Sequence, residues 1–143
     1  MADRRDSFIK AVNVFHRTLF NATNGRVGGR IGGMEAVQLT TVGRKTGEKR
    51  TSMLTAPIID GDTVVLIASY GGGPKHPQWY LNLQANPEVE ISRHGETTKM
   101  IARTAEPAER AELWPRVVAA YKGYAEYQEK TDREIPVVIF TPA

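Results

Sequence analysis

The sequence predicts an α+β domain built around a barrel of mostly antiparallel strands, with helices at both ends of the chain. Three observations carry that reading. Five or six short segments rich in β-branched residues follow one another through the middle, separated by turn signals. Helical periodicity is confined to the N-terminal part, one short central segment and the C-terminal part. Strands do not alternate with helices, so a parallel dinucleotide-binding sheet is excluded.

The elements follow in order. Residues 6–20 read as an amphipathic helix, because Phe8, Val12, Phe15 and Leu19 recur at helical spacing with Lys10 and Arg17 off that stripe. Such a stripe docks on its own domain or, given the flanking Arg4-Arg5, on a membrane surface. Asn24 to Gly33 is a glycine-rich connector with cations that matches neither a dinucleotide-binding nor a P-loop pattern. Residues 1–34 are therefore expected to be the N-terminal helix and connector of a single domain spanning 1–143. Strands are expected over 35–43 and 49–59, joined by a basic turn, and Asp60-Gly61-Asp62 marks a hairpin into a strand at 63–70. The run Val64 to Ala68 is apolar on both faces, as in a buried strand. Pro77 opens a short helix, Gln78–Gln84, closed by Asn86-Pro87. Strands at 88–93 and 97–104 flank His94-Gly95-Glu96. Pro107 starts a C-terminal helical region whose Glu106 and Glu109 suit the helix dipole, and Pro115 is expected to break or kink it. A last strand is expected over 135–140.

Composition narrows the function classes. A chain of 143 residues fits one domain with a single sizeable core, and 41% hydrophobic with 24% charged residues is ordinary for a soluble globular protein. Without cysteine there is no disulfide, thiol nucleophile or thiolate metal site. His16, His76 and His94 are scattered, so no metal site is expected. No apolar run reaches the roughly 20 residues that cross a bilayer, and the N-terminus lacks a signal-peptide pattern. A cytoplasmic location is expected, with peripheral contact at the inner face of the membrane through residues 4–20 as the finer alternative. A net charge of +3 and a pI near 9.3 call for an anionic partner. The cations concentrate at loops without a nucleic-acid motif, so no nucleic-acid partner is expected. Oligomeric state is not legible.

Three constellations carry chemistry. The turn Thr40 to Arg50 packs four cations and two glycines between two strands. Its glycines let backbone N–H groups approach an anion, and a guanidinium from Arg44 or Arg50 can hold two oxygens at once. A charged, solvated hairpin tip is the bland alternative. One strand further on, Ala68-Ser69-Tyr70-Gly71-Gly72-Gly73 ends a buried strand in small residues, leaving room for a flat ligand against the backbone. Lys75 and the following helix start favour an anion there, whereas Trp79 could simply plug the core. The third is Tyr121, Tyr124 and Tyr127, spaced to share one broad helical face. Such a stripe can edge a core, or its phenols can hydrogen-bond an oxygen and lend it a proton.

In this order, LTTVGRKTGEKR, ASYGGGPKHPQWYLNLQANPEVE and ELWPRVVAAYKGYAEYQEKTDREIPVVIF resemble the deazaflavin-dependent nitroreductase family. These are actinobacterial split β-barrel reductases that use coenzyme F420. The resemblance runs from about Gly28 to the C-terminus and is most specific from Thr40 to Pro87. It implies a split β-barrel of the FMN-binding-like type and transfer of a hydride from reduced F420 to a small-molecule acceptor: a quinone, an enone or a nitroaromatic compound. It assigns Arg44, Lys45, Thr46 and Arg50 to the cofactor's phosphate and tail, and Thr51, Ser52, Met53, Leu54 and Thr55 to the deazaflavin. Ala68, Ser69 and Tyr70 fall where the strand end meets the cofactor, and Gln78, Trp79, Tyr80, Leu81 and Asn82 close the other side. Ser69, Tyr121, Tyr124 and Tyr127 match the substrate side, with Ser69 and Tyr124 expected to hydrogen-bond the oxygen that gains negative charge. One departure is Tyr70, where family members often carry a cation. The alternatives are a non-catalytic F420-binding or sequestering protein and an FMN-dependent split-barrel reductase.

Overall fold

The computed structural model of the chain describes residues 30, 31 and 34 to 143. The expected helix over 6–20 lies outside the described residues, as does the connector except for Arg30–Ile31, which forms strand β1. The remaining strands are β2 (Met34–Val42), β3 (Lys49–Ala56), β4 (Ile58–Asp60), β5 (Thr63–Ile67), β6 (Glu88–Arg93), β7 (Glu96–Thr104) and β8 (Val137–Pro142). Helices α1 (Gln78–Ala85), α2 (Pro107–Ala120) and α3 (Gly123–Glu129) accompany them.

The strand pairs are antiparallel, in the order β1-β2-β6-β7-β8-β5-β4, with β3 on the other edge of β2. Only Pro57 separates β3 from β4 in the chain, yet these strands stand at opposite ends of the pairing path. A short connection between the two ends forces the sheet to curl on itself. The resulting curled sheet with helices is α+β.

Burial alternates along β2, where Val37, Leu39 and Thr41 point inward. One cluster, centred on Leu39, Leu66, Ile91 and Phe140, fills the barrel and is plugged by Trp79 and Tyr80 of α1. A second cluster joins Ile58, Val65 and Val137 to Leu113, Val117 and Tyr124 of α2 and α3. The apolar run of β5 is explained by these two clusters, one on each face. By contrast β3 is largely exposed from Lys49 to Thr51 and again at Met53.

Several expected boundaries shift. The strand expected over 49–59 divides at Pro57, which lacks a ladder donor. The strand expected over 63–70 ends at Ile67, because Ser69 turns to φ −80°, ψ −34° and opens a 3-10 turn at Tyr70–Gly72. Pro115 does not break α2, which runs through it to Ala120. An interior proline costs about 3 kcal/mol, but the helix also sinks Leu113 and Val117 to 0% exposure, each contributing about 1.5–3 kcal/mol. The expected dipole role of the N-terminal glutamates is also a capping device: the Glu106 backbone N–H donates to Glu109 Oε1 at 2.8 Å. The tyrosines do not share one helix. Tyr121 ends α2 in extended backbone, φ −154° and ψ 110°, whereas Tyr124 and Tyr127 belong to α3.

Candidate active site

The basic turn is a closed loop. Gly43 N–H donates to the Glu48 carbonyl at 2.7 Å, Gly47 N–H donates back to the Gly43 carbonyl at 2.8 Å, and Gly47 takes the left-handed conformation at φ +76°. Arg44 is tied down by both its backbone N–H and its Nη1, which donate to Asn82 Oδ1 at 3.2 and 2.9 Å. Asn82 is buried and passes the link on to Thr41 Oγ1 at 3.3 Å. This polar relay locks the turn onto α1. Thr46 Oγ1 accepts from the Glu48 N–H, and Lys49 pairs with Glu90 at 3.0 Å. Arg50 lies 3.5 Å from Glu48 with both side chains well exposed, a weak pair that leaves its charge available. Lys45 has no ion pair among the described residues and stands exposed.

From this turn β3 leads to a cleft of about 340 Å³ lined by Ala36, Met53, Leu54, Thr55, Ile67, Ser69, Gly71, Tyr124 and Tyr127. Three to five strand steps of about 3.3 Å separate Arg50 from Met53 and Thr55, so the cations lie roughly 10–16 Å from the cleft residues along one rail. Ser69 reaches the cleft because β5 stops just before it. Tyr124 and Tyr127 reach it because α3 packs directly on the 3-10 turn. Gly72, at φ +80°, permits that contact: a Cβ there would meet the Tyr127 carbonyl oxygen at 2.8 Å.

The tyrosines form a ring cluster. Tyr121 and Tyr124 meet edge-on at 5.3 Å between centroids, and Tyr127 lies 6.3 and 6.2 Å from them. Tyr121 folds over Gly123, whose missing Cβ leaves space for the ring. The Tyr124 hydroxyl sits 3.5 Å from Thr55 Oγ1 and 3.6 Å from Met34 Sδ. Burial raises its pKa, opposed by the Thr55 hydrogen bond. The Tyr127 pKa is also raised, first by its hydrogen bond with Tyr121 and then by burial. Both phenols are therefore protonated at neutral pH.

The residues expected from sequence divide into three groups. Met53, Leu54, Thr55, Ser69, Tyr124 and Tyr127 come together in the cleft. Arg44, Lys45, Thr46 and Arg50 form the turn at the far end of the rail, with Thr51 and Ser52 between. Trp79, Tyr80 and Asn82 are instead buried. Trp79 and Tyr80 belong to the barrel cluster, and the Tyr80 hydroxyl bonds Thr104 Oγ1 at 2.7 Å. Gln78 is exposed, Leu81 is half-buried and Ala68 is buried in the barrel. Tyr70 stands 67% exposed at φ +46°, a backbone conformation rare for a non-glycine residue. Tyr121 supports the other two tyrosines without lining the cleft.

Gly71, from the glycine run expected to leave room for a flat ligand, lines the cleft, and Ala36 and Ile67 complete its wall without having been marked as site residues. No motif exposes these two, since each reads as ordinary strand. Among the described residues no group of carboxylates and histidines could hold a metal ion, and no helix is long and apolar enough to cross a membrane.

Comparison with known proteins agrees with this architecture. A family model described as F420H(2)-dependent quinone reductase matches residues 14–142. An F420H(2)-dependent quinone reductase of Mycobacterium tuberculosis is 41% identical over 130 residues, covering 88% of this chain and 87% of its own. A solved F420-H2 dependent reductase, FDR-A, superposes with a TM-score of 0.66 at 44% identity, covering 73% of this chain and 92% of its own. Another solved structure, described as a domain-swapped dimer, gives a TM-score of 0.67 at 44% identity over 73% of this chain and 78% of its own. Fold and cleft thus define a split-barrel oxidoreductase. The chain belongs to the F420H(2)-dependent quinone reductase family.

Proposed function

We propose that this chain is an F420H2-dependent reductase whose acceptor is a quinone. One observation carries the reading: a single exposed strand joins a cluster of cations to a cleft faced by Ser69, Tyr124 and Tyr127. Coenzyme F420 is elongated, with a flat deazaflavin at one end and negative charges on its phosphodiester and glutamate tail. The donor set fits that shape. Arg44, Lys45 and Arg50 meet the anionic part, while Met53, Leu54 and Thr55 offer a mixed apolar and hydroxyl wall to the ring.

When bound, the reduced deazaflavin supplies the hydride. The chain's residues supply position and polarity. Ser69 and Tyr124 orient a carbonyl oxygen of the acceptor and stabilise the negative charge that develops there. Tyr124 and Tyr127 keep their phenolic protons at neutral pH, so either can donate one to that oxygen. The apolar walls formed by Ile67, Leu54 and the tyrosine rings exclude water from the reacting face.

Fluorescence titration with F420, followed by oxidation of F420H2 with menadione, tests the reading. Tight F420 binding with steady turnover is expected. Submicromolar FMN binding without a response to F420 would overturn it. Tyr124→Phe should slow turnover about 10–100-fold with F420 affinity nearly intact; unchanged turnover would remove Tyr124 from its role. A second reading, cofactor sequestration, has one observation in its favour: the Tyr124 hydroxyl already faces Thr55 and Met34 and its residue is only 6% exposed. F420 binding without menadione-dependent oxidation would select it.

A further inference from the structure

Arg133 lies between α3 and β8, and its guanidinium gathers the backbone of the strand end beside the cleft. Nε donates to the Gly73 carbonyl at 2.9 Å, Nη1 to the Ala68 carbonyl at 3.2 Å and Nη2 to the Ser69 carbonyl at 2.7 Å. Nη1 also lies 3.1 Å from His76 Nδ1. A guanidinium only donates, so Nδ1 is the acceptor and the ring proton sits on Nε2.

This arrangement is unlike ordinary strand pairing. Successive carbonyls of a strand point to opposite sides, whereas those of Ala68 and Ser69 both turn to Arg133 because Ser69 leaves the extended conformation. Three carbonyl dipoles converging on one point repel one another unless a cation lies between them. Among the described residues Arg133 bonds these carbonyls and the imidazole, and no carboxylate. Its charge is therefore spent on holding the loop's shape, and one of its bonds goes to the backbone carbonyl of Ser69 itself.

We propose that Arg133 is a positioning residue for the reaction, acting through Ser69. Its planar fork fixes the Ala68–Gly73 segment so that the Ser69 hydroxyl faces the acceptor, with a positive charge behind it. Lysine cannot substitute, because its one nitrogen cannot span three carbonyls and an imidazole with the spacing of a guanidinium. The inference rests on the reductase reading above and concerns how that cleft is kept in its working geometry.

The test uses Arg133→Lys and Arg133→Gln in the full chain, each alone and combined with Ser69→Ala. Amide hydrogen exchange of the cofactor-free protein should quicken at Gly72 and Gly73, whose N–H groups donate to the Ser69 and Tyr70 carbonyls, while β2 and β6 keep their protection. With menadione, kcat should fall about 10–100-fold in Arg133→Lys, while F420 affinity from fluorescence stays within about twofold. In the Ser69→Ala background the same substitution should cost less than about threefold, since its route of action is already gone. Losses that simply multiply in the double variant would overturn the role through Ser69. So would F420 affinity falling in step with turnover, or exchange quickening throughout the sheet in both variants. A wild-type chain that binds F420 but never oxidises F420H2 is a separate result: it defeats the reductase reading and the inference with it. An active wild type matched by its Arg133 variants defeats the inference alone.

Discussion

At the residue scale, His76 is held neutral by its surroundings. Burial lowers its pKa, and the neighbouring Arg133 charge lowers it further. Above the unfolded value of 6.5 the imidazole is neutral in both states and imposes no penalty. As pH falls through 6.5, the unfolded chain takes up the proton and the native state resists it, so stability drops until the depressed native pKa is passed. Thermal unfolding should therefore show a flat melting temperature from about pH 7 to 8 and a decline below about 6.5. His76→Gln should flatten that decline, and a slope that persists would belong to another group. Asn82 offers a second check. Asn82→Leu removes the acceptor shared by two donors of Arg44 and should weaken F420 binding about tenfold by freeing the turn. Equal affinity would mean that the turn holds its shape alone.

Ser69 and the tyrosines were legible through the resemblance of their motifs rather than through spacing. Tyrosines three apart edge a core as readily as they line a cleft, and Tyr121 lies on a different element from Tyr124 and Tyr127. Trp79, Tyr80 and Asn82 share one short helix, and the sequence does not say which of its faces meets the barrel. Arg133 gave no signal, because a guanidinium that binds carbonyls across some 60 positions of sequence leaves no local pattern.

At the element scale, the contact between the 3-10 turn and α3 sets the cleft. Gly72→Ala would place a Cβ 2.8 Å from the Tyr127 carbonyl oxygen and 3.0 Å from its Cα, at a backbone φ of +80°. The strain alone is about 1–3 kcal/mol. Urea unfolding should show that loss, and turnover should fall with it as α3 moves off the loop. Full activity in Gly72→Ala would mean that α3 and the turn are not coupled. Strand and helix order was readable from turn signals, whereas ends depended on tertiary forces. Nothing local marks the end of β5 at Ile67, since the carbonyls that turn away are gathered by a side chain from the other end of the domain. Pro115 misleads for a similar reason: the burial of Leu113 and Val117 outweighs its missing donor.

At the scale of the whole molecule, Glu35 ties hairpins together away from the cleft. It accepts from Arg93 Nε and pairs with His94 Nε2, both at 2.6 Å, while Arg93 Nη1 reaches the Gly61 carbonyl at 3.2 Å. Burial would raise its pKa, but hydrogen bonds and charges from Arg93 and His94 outweigh this and lower it below 4.5. The stability it contributes is present above pH 4.5 and lost as pH falls through the depressed native value, a window distinct from that of His76. Glu35→Gln should cost about 2–3 kcal/mol at pH 7, below the full cost of a completely buried pair because Arg93 and His94 keep some solvent access. Chemical denaturation measures this directly, and a loss under about 0.5 kcal/mol would make the cluster a surface ornament.

The exposure of β3 has an evolutionary consequence. Met53 is 68% exposed on a strand that contributes little to either core cluster, yet it forms part of the cleft wall. Substitutions at that position can vary in size and polarity without threatening the barrel. Selection can therefore reshape the cleft wall at Met53 almost free of a folding penalty, while the partners that shape the cleft from behind stay constrained. A lineage built on this plan can remodel its cleft far faster than its fold.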